Sequence, residues 1–307
     1  MKRQRVNLRR EFATNPARFL TIANPKPALA LSSPAEVQPA WQSLPERPCV
    51  DGQPDPLADE LRRLGLDGMA RALAQLRTER NKNLPRFDEW LGTLVAGEVT
   101  HRARRRVTNR LRAAGLRYHA PLADVDYGAL RGFDDGLFHW LATGRWISDK
   151  DNLLIDGPTG VGKTWLACAL GEQACRDDRS VRYECVPRLL AELDAVRGKA
   201  PYARRMKALH RVELLILDDW GVAPFAPAHR QHLLELIDGR YGRGSTLIAS
   251  PVAVECWPQL IEDPTLASEI LDRLVHNAHR LQLRGESLRE TRKAVPNARS
   301  ALPEAAA

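Results

Sequence analysis

The sequence contains no Cys-x-x-Cys pair. Its five cysteines, Cys49, Cys168, Cys175, Cys185 and Cys256, are scattered, and no histidine lies at metal-ligand spacing from them. That excludes a zinc finger and a secreted disulfide scaffold, and leaves buried thiols in a reducing compartment as the expectation. No apolar run approaches the ~20 residues of a membrane helix. The basic N-terminus also lacks the unbroken apolar stretch of a signal peptide. A cytoplasmic chain with no membrane partner is expected. Aromatics make up only 6% of the residues and do not interleave with the basic ones, so no stacking platform for single strands is expected. Acidic residues are missing altogether between Glu98 and Asp124.

What is present is positive charge, +8 in net over 307 residues, which points to a polyanionic partner. Residues 1–56 combine basic side chains with Pro25, Pro27, Pro34, Pro39, Pro45, Pro48, Pro54 and Pro56. Proline at that density predicts a disordered leader. Residues 57–119 read as a helical domain. Leu61, Leu64, Met69, Leu73 and Leu76 recur at helical spacing, and a second stripe of Trp90, Leu91, Leu94, Val95 and Val99 runs on into an arginine-rich stretch. From about 120 to 290, short apolar segments alternate with helical ones, which predicts a parallel sheet covered on both faces. Residues 291–307 read as a flexible tail.

The strongest chemical signal is GPTGVGKT, made of Gly157, Pro158, Thr159, Gly160, Val161, Gly162, Lys163 and Thr164. It follows the apolar strand NLLID and opens a helix, the context that a phosphate-binding loop requires. Its glycines let successive N–H groups turn inward toward phosphate oxygens, and the helix N-terminus adds partial positive charge. Lys163 is placed to reach the β- and γ-phosphates of ATP, and the Thr164 hydroxyl to bind Mg²⁺. Downstream, LLILDD reads as a buried strand whose last residue, Asp218, emerges beside that loop and completes the Mg²⁺ site. Asp219 follows as the candidate that polarises the attacking water. Both carboxylates are thereby accounted for within one nucleotide site.

Four segments carry a family resemblance: LGLDGMARALAQL, NLLIDGPTGVGKTWLACALG, LLILDDWG and EDPTLASEILDRLVHNAHRLQLRGESLR. Over about residues 57–290 the chain resembles the IstB-like transposition helper ATPases of insertion sequences, relatives of DnaC-type helicase loaders. The resemblance implies an AAA+ P-loop fold of sheet order 5-1-4-3-2, ATP-dependent oligomerisation on duplex DNA, and recruitment of a partner transposase. The motifs add an expectation of Mg²⁺-dependent, DNA-stimulated ATP hydrolysis, slowed by the short side chain of Asp219. The resemblance also implies that Arg273 is an arginine finger acting on a neighbouring subunit's ATP. Ser250, at the end of the strand STLIAS, is a candidate first sensor of the γ-phosphate or a plain turn residue, and Arg289 reads as solvated surface in preference to a second sensor. Two positions depart from the pattern. Pro251 follows Ser250 where relatives carry a polar residue, and Asp219 stands in place of the commoner glutamate.

Two basic clusters are candidates for largely sequence-independent contact with duplex DNA. One is Arg102, Arg105, Arg106 and Arg110; the other is Lys199, Arg204 and Arg205. A helicase loader is the nearest alternative function, and an ATP-driven assembly factor with no turnover is another.

Overall fold

The short apolar segments become five strands: β1 (Asn152–Asp156), β2 (Val181–Cys185), β3 (Leu214–Asp218), β4 (Ser245–Ser250) and β5 (Ala278–Gln282). The computed structural model of the protein describes residues 55–78, 86–125, 135–285 and 287. The proline-rich leader up to 54, the break expected at Asn81 to Pro85, Phe133, Arg289 and the tail from 291 lie outside them. All neighbouring strands pair in parallel, in the order β2-β3-β4-β1-β5. That is the 5-1-4-3-2 sheet the resemblance implies.

Strand side chains alternate between faces, and the sheet therefore builds two cores. Leu153, Ile155, Val181, Tyr183, Leu214, Ile216, Leu247 and Leu281 share one cluster. Leu154, Leu215, Leu217 and Ile248 share the other. The first is covered chiefly by α4 (Asp135–Ala142), α5 (Arg145–Asp149) and α6 (Lys163–Arg176). The second is covered by α7 (Val186–Ala195), α8 (Ala200–Arg211), α9 (Pro227–Arg240), α10 (Trp257–Ile261) and α11 (Pro264–Val275). The short α5 and α10 carry no sequence period long enough to read; each is fixed by one buried tryptophan, Trp146 or Trp257.

Ahead of the sheet lie α1 (Pro56–Arg63), α2 (Asp67–Thr78) and the long α3 (Phe87–Ala114). The Leu61-to-Leu76 stripe reads as one helix, but the chain divides it at Gly65. There the Gly65 amide donates to the Arg62 carbonyl at 2.9 Å and the Leu66 amide to Leu61 at 2.8 Å, a Schellman closure. Gly65 takes φ 72°, which only glycine adopts without strain. The turn re-aims α2, which packs along α3. Glu98 of α3 then accepts from the first amides of α2, Gly68 at 2.7 Å and Met69 at 3.1 Å, and from Arg102 Nε at 2.7 Å. Burial by itself would push the Glu98 carboxyl up, but these donors outweigh it and hold it below its ordinary value.

The last turns of α3 belong to the sheet's own core. Leu111, Ala114 and Leu116 pack with the α6 cluster, and Arg182 of β2 donates to the Ala113 carbonyl at 3.1 Å. After Gly115 the chain is clamped by Glu172 of α6. That buried carboxylate accepts from the Ala120 amide at 3.0 Å and Arg176 at 2.7 Å, with His119 Nδ1 also 2.7 Å away.

The α2–α3 crossing yields a contrast that thermal unfolding can read. A Cβ on Gly68 would stand 2.5 Å from the Gly97 carbonyl and 2.6 Å from Glu98 Cα, whereas one on Gly92 meets nothing within 4 Å. Gly92→Ala should stabilise by ~1 kcal/mol through helix propensity. Gly68→Ala gains the same propensity but overpacks the crossing, at ~1–3 kcal/mol, and should lower the midpoint.

Candidate functional site

Strand β1 ends at Asp156, and the phosphate-binding loop begins on the next residue. The Asp156 carboxylate is buried, and Arg280 of β5 holds both of its oxygens, at 3.0 and 3.1 Å. Arg280 also pairs with Glu255, which it holds down to about 2. The Leu283 amide donates to the Asp156 carbonyl at 2.8 Å, so the chain leaving β5 crosses the loop. The crossing is close: a Cβ on Gly157 would stand 2.3 Å from the Leu283 carbonyl, and one on Gly160 would stand 2.2 Å from Ser287 Oγ. Gly157, Gly160 and Gly162 take φ of 150°, 93° and 99°. Gly162 caps α6, which starts at Lys163.

Lys163 Nζ donates to the carbonyls of Gly157 and Pro158, both at 2.7 Å. The ammonium is thus folded over the mouth of its own loop, where phosphate oxygens can replace those carbonyls. Thr164 Oγ1 donates to Asp218 Oδ1 at 3.1 Å, which joins the helix opening to the end of β3. The other oxygen of Asp218 accepts from the Tyr183 hydroxyl at 2.6 Å. A hydroxyl and a carboxylate at this separation form an oxygen-only pair suited to Mg²⁺. Together with the loop and the helix N-terminus, they fit a Mg²⁺–nucleoside triphosphate.

Asp219 lies at the exposed edge of the same site, with φ 60°. Aspartate is among the few non-glycine residues that tolerate this conformation. Its Oδ2 is 3.6 Å from Cys185 Sγ and 3.6 Å from Arg117 Nη1. Ser250 reaches the site through the backbone. Its buried hydroxyl is 2.8 Å from the carbonyl of Trp220 and 2.9 Å from that of Val252, and it accepts from the Val252 amide at 3.0 Å. It therefore steadies the residue after Asp219 and the turn at Pro251. Arg273 stands elsewhere. Its carbonyl accepts from Asn152 Nδ2 at 3.2 Å, at the start of β1, and its guanidinium donates to Asp238 at 2.9 Å and to the Glu269 carbonyl at 2.7 Å. The length of β1, roughly 13 Å at ~3.3 Å per residue, separates it from the loop of its own chain.

The basic candidates divide in two. Arg102 is paired with Glu98, Arg110 with Asp178 at 2.5 Å, and Arg205 with Glu184 at 2.8 Å and Glu192 at 3.4 Å. Arg105, Arg106, Lys199 and Arg204 are exposed, and among the described residues no ion pair holds them. Sequence reasoning missed Arg117, Tyr183 and Arg280. Only Tyr183 left a signal, as a polar-tipped residue in a strand that must pair beside β3.

Fold and site together define a P-loop ATP-binding protein of the AAA+ class. A family model described as IstB-like ATP binding protein matches residues 59–295. The chain belongs to that family. It is 51% identical over 238 residues to an insertion sequence ATP-binding protein of Sinorhizobium fredii, covering 78% of this chain and 97% of the relative. It is 44% identical over 192 residues to the ATP-binding protein of insertion sequence IS1162 from Pseudomonas fluorescens, covering 62% and 83%. Among solved structures, the crystal structure of DnaI matches 58% of this chain and 94% of its own at 21% identity and a TM-score of 0.46. Among the described residues, no helix is long and apolar enough to cross a membrane.

A Cβ on Gly157 would meet backbone, the Leu283 carbonyl, so no side chain can move aside for it. Gly157→Ala should abolish binding of a fluorescent ATP analogue while the far-ultraviolet circular dichroism stays that of the native sheet, because the clash with the Leu283 carbonyl displaces the loop alone.

Proposed function

We propose that this protein is an ATP-hydrolysing accessory factor of DNA transposition, which oligomerises on duplex DNA and there recruits or regulates a partner transposase. The observation that carries the enzymatic half is the joined pair Thr164–Asp218, with Lys163 over the loop and Asp219 one residue further on. The names of the relatives, all tied to insertion sequences, support the biological half.

In this reading Lys163 binds the β- and γ-phosphates, and Thr164 and Asp218 hold Mg²⁺, which supplies charge neutralisation at the phosphates. Asp219 accepts the proton of a water as its oxygen bonds to the γ-phosphorus, while the bond to the β-phosphate oxygen breaks and ADP leaves with the electron pair. Arg273 serves the ATP of a neighbouring copy. That assignment is supported by its place at the opposite end of β1 from its own loop, near the subunit surface with Asp238. Mixing tests it: Arg273→Ala alone and Lys163→Ala alone should each lack ATPase activity, the first still binding ATP. The mixture should recover part of the rate, because some interfaces then join an intact loop to an intact finger. A mixture that stays inactive while co-assembling on DNA would remove the trans role.

The duplex surface is proposed to centre on Arg105 and Arg106 of α3, with Lys199 and Arg204 as a second cluster. Arg102 and Arg110 flank the first, and Arg205 flanks the second; all three are partly committed to acids of their own chain. Replacing Arg105 and Arg106 with glutamine should weaken duplex binding equally across sequences. The slope of log K against log salt should fall by about 0.9 for each phosphate that is no longer neutralised. An unchanged slope would return this face to solvent.

A further inference from the structure

We propose that Arg117 is a positioning residue for the catalytic carboxylate, orienting Asp219 for the attacking water; this rests on the role given to Asp219 above. Arg117 Nη1 lies 3.6 Å from Asp219 Oδ2 and 3.9 Å from Asp218 Oδ2, so one guanidinium nitrogen spans the two adjacent acids. Two neighbouring carboxylates repel, and a cation placed between them offsets that repulsion. The contacts of Asp219 are one-sided. Arg117 and the Cys185 thiol both approach Oδ2, while Oδ1 has no hydrogen-bond partner among the described residues. Holding one oxygen and leaving the other open fixes the carboxylate's rotation and reserves Oδ1 for a water.

The carrier of the guanidinium is itself fixed. Gly115 ends α3 with φ 62°, Leu116 packs into the core beside Gly171, and Glu172 holds the Ala120 amide at 3.0 Å. Arg117 thus sits in a short span pinned at both ends. Its guanidinium lies 5.7 Å from the Tyr118 ring centroid, and the side chain stays 44% exposed. Core packing therefore does not account for its place; the Tyr183 hydroxyl of β2 and the two acids do. Arginine also suits the task because its charge persists at every working pH and its fork keeps a set direction.

The test is steady-state ATPase activity of the full-length protein with Mg²⁺ and duplex DNA, beside titration with a fluorescent ATP analogue. Arg117→Ala should lower kcat by about 10- to 100-fold, the order seen when a reacting group is misplaced by ~1 Å. Nucleotide affinity and KM should stay near wild type. Arg117→Lys, which keeps the charge, should recover part of that activity, and millimolar free guanidinium should recover part of it in Arg117→Ala. Wild-type or raised turnover in Arg117→Ala would overturn the proposal, as would a fall in affinity in step with kcat or failure of both rescues. Asp219→Asn separates the two layers. If it is inactive while Arg117→Ala is not impaired, only the positioning role falls. If Asp219→Asn turns over normally, the underlying assignment of the base falls and this inference goes with it.

Discussion

The site depends on keeping a carboxylate, Asp218, buried at 1% exposure. A charge taken so far out of water needs partners on both oxygens. Thr164 supplies one from the start of α6 and Tyr183 the other from β2, with Arg117 contributing charge from beyond α3. These three elements come from different parts of the chain. Satisfying this one group therefore fixes how the phosphate loop, the sheet edge and the helical region meet. In the proposed function this carboxylate would also help hold Mg²⁺, since the Thr164 hydroxyl already faces it.

Around that centre, other ion pairs secure the backbone that the loop hangs from. Arg280 holds Asp156, the residue on which β1 ends, and ties it to Glu255 beyond β4. Because Leu283 crosses Gly157 and Ser287 crosses Gly160, the segment after β5 is built against the loop. This gives a physical reason for Leu283 and Ser287 to accompany the ATP motif, although phosphate chemistry alone does not require them. Arg240 shows the opposite solution to burial. Its guanidinium lies between α9 and the sheet and donates to the carbonyls of Leu209, Val212 and Ser245 and to the Thr246 hydroxyl, and burial lowers it to about 10.

The departure at Asp219 has an explanation in the backbone. A residue with φ 60° directly after the strand is strained for most side chains and least so for aspartate and asparagine. Aspartate thus fits the turn that starts toward Trp220, and Ser250 receives that turn by bonding to the Trp220 carbonyl. The side chain that this turn presents has Cys185 and Arg117 beside one of its oxygens, each at 3.6 Å.

The sequence by itself determined the phosphate loop, the apolar strand that ends in Asp218 and the parallel sheet. Each rests on local regularities: glycines at fixed spacing, apolar runs of strand length, and helices between them. It could also put Lys163 with Thr164 at a helix start and Asp218 with Asp219 at a strand end, because each pair is adjacent in sequence; that Thr164 meets Asp218, 54 positions on, follows from the sheet. Tertiary structure alone decided which basic residues are spent on acids of the same chain. Arg205 and Glu184 are 21 positions apart, and Arg110 and Asp178 are 68 apart, so no local pattern joins them. It also decided that Ser250 bonds to backbone, that Arg273 lies a strand's length from its own loop, and that Arg117 reaches the acids across about a hundred residues of chain. Those facts follow from the parallel sheet, which gathers strand ends distant in sequence at one edge and leaves their other ends at the opposite one.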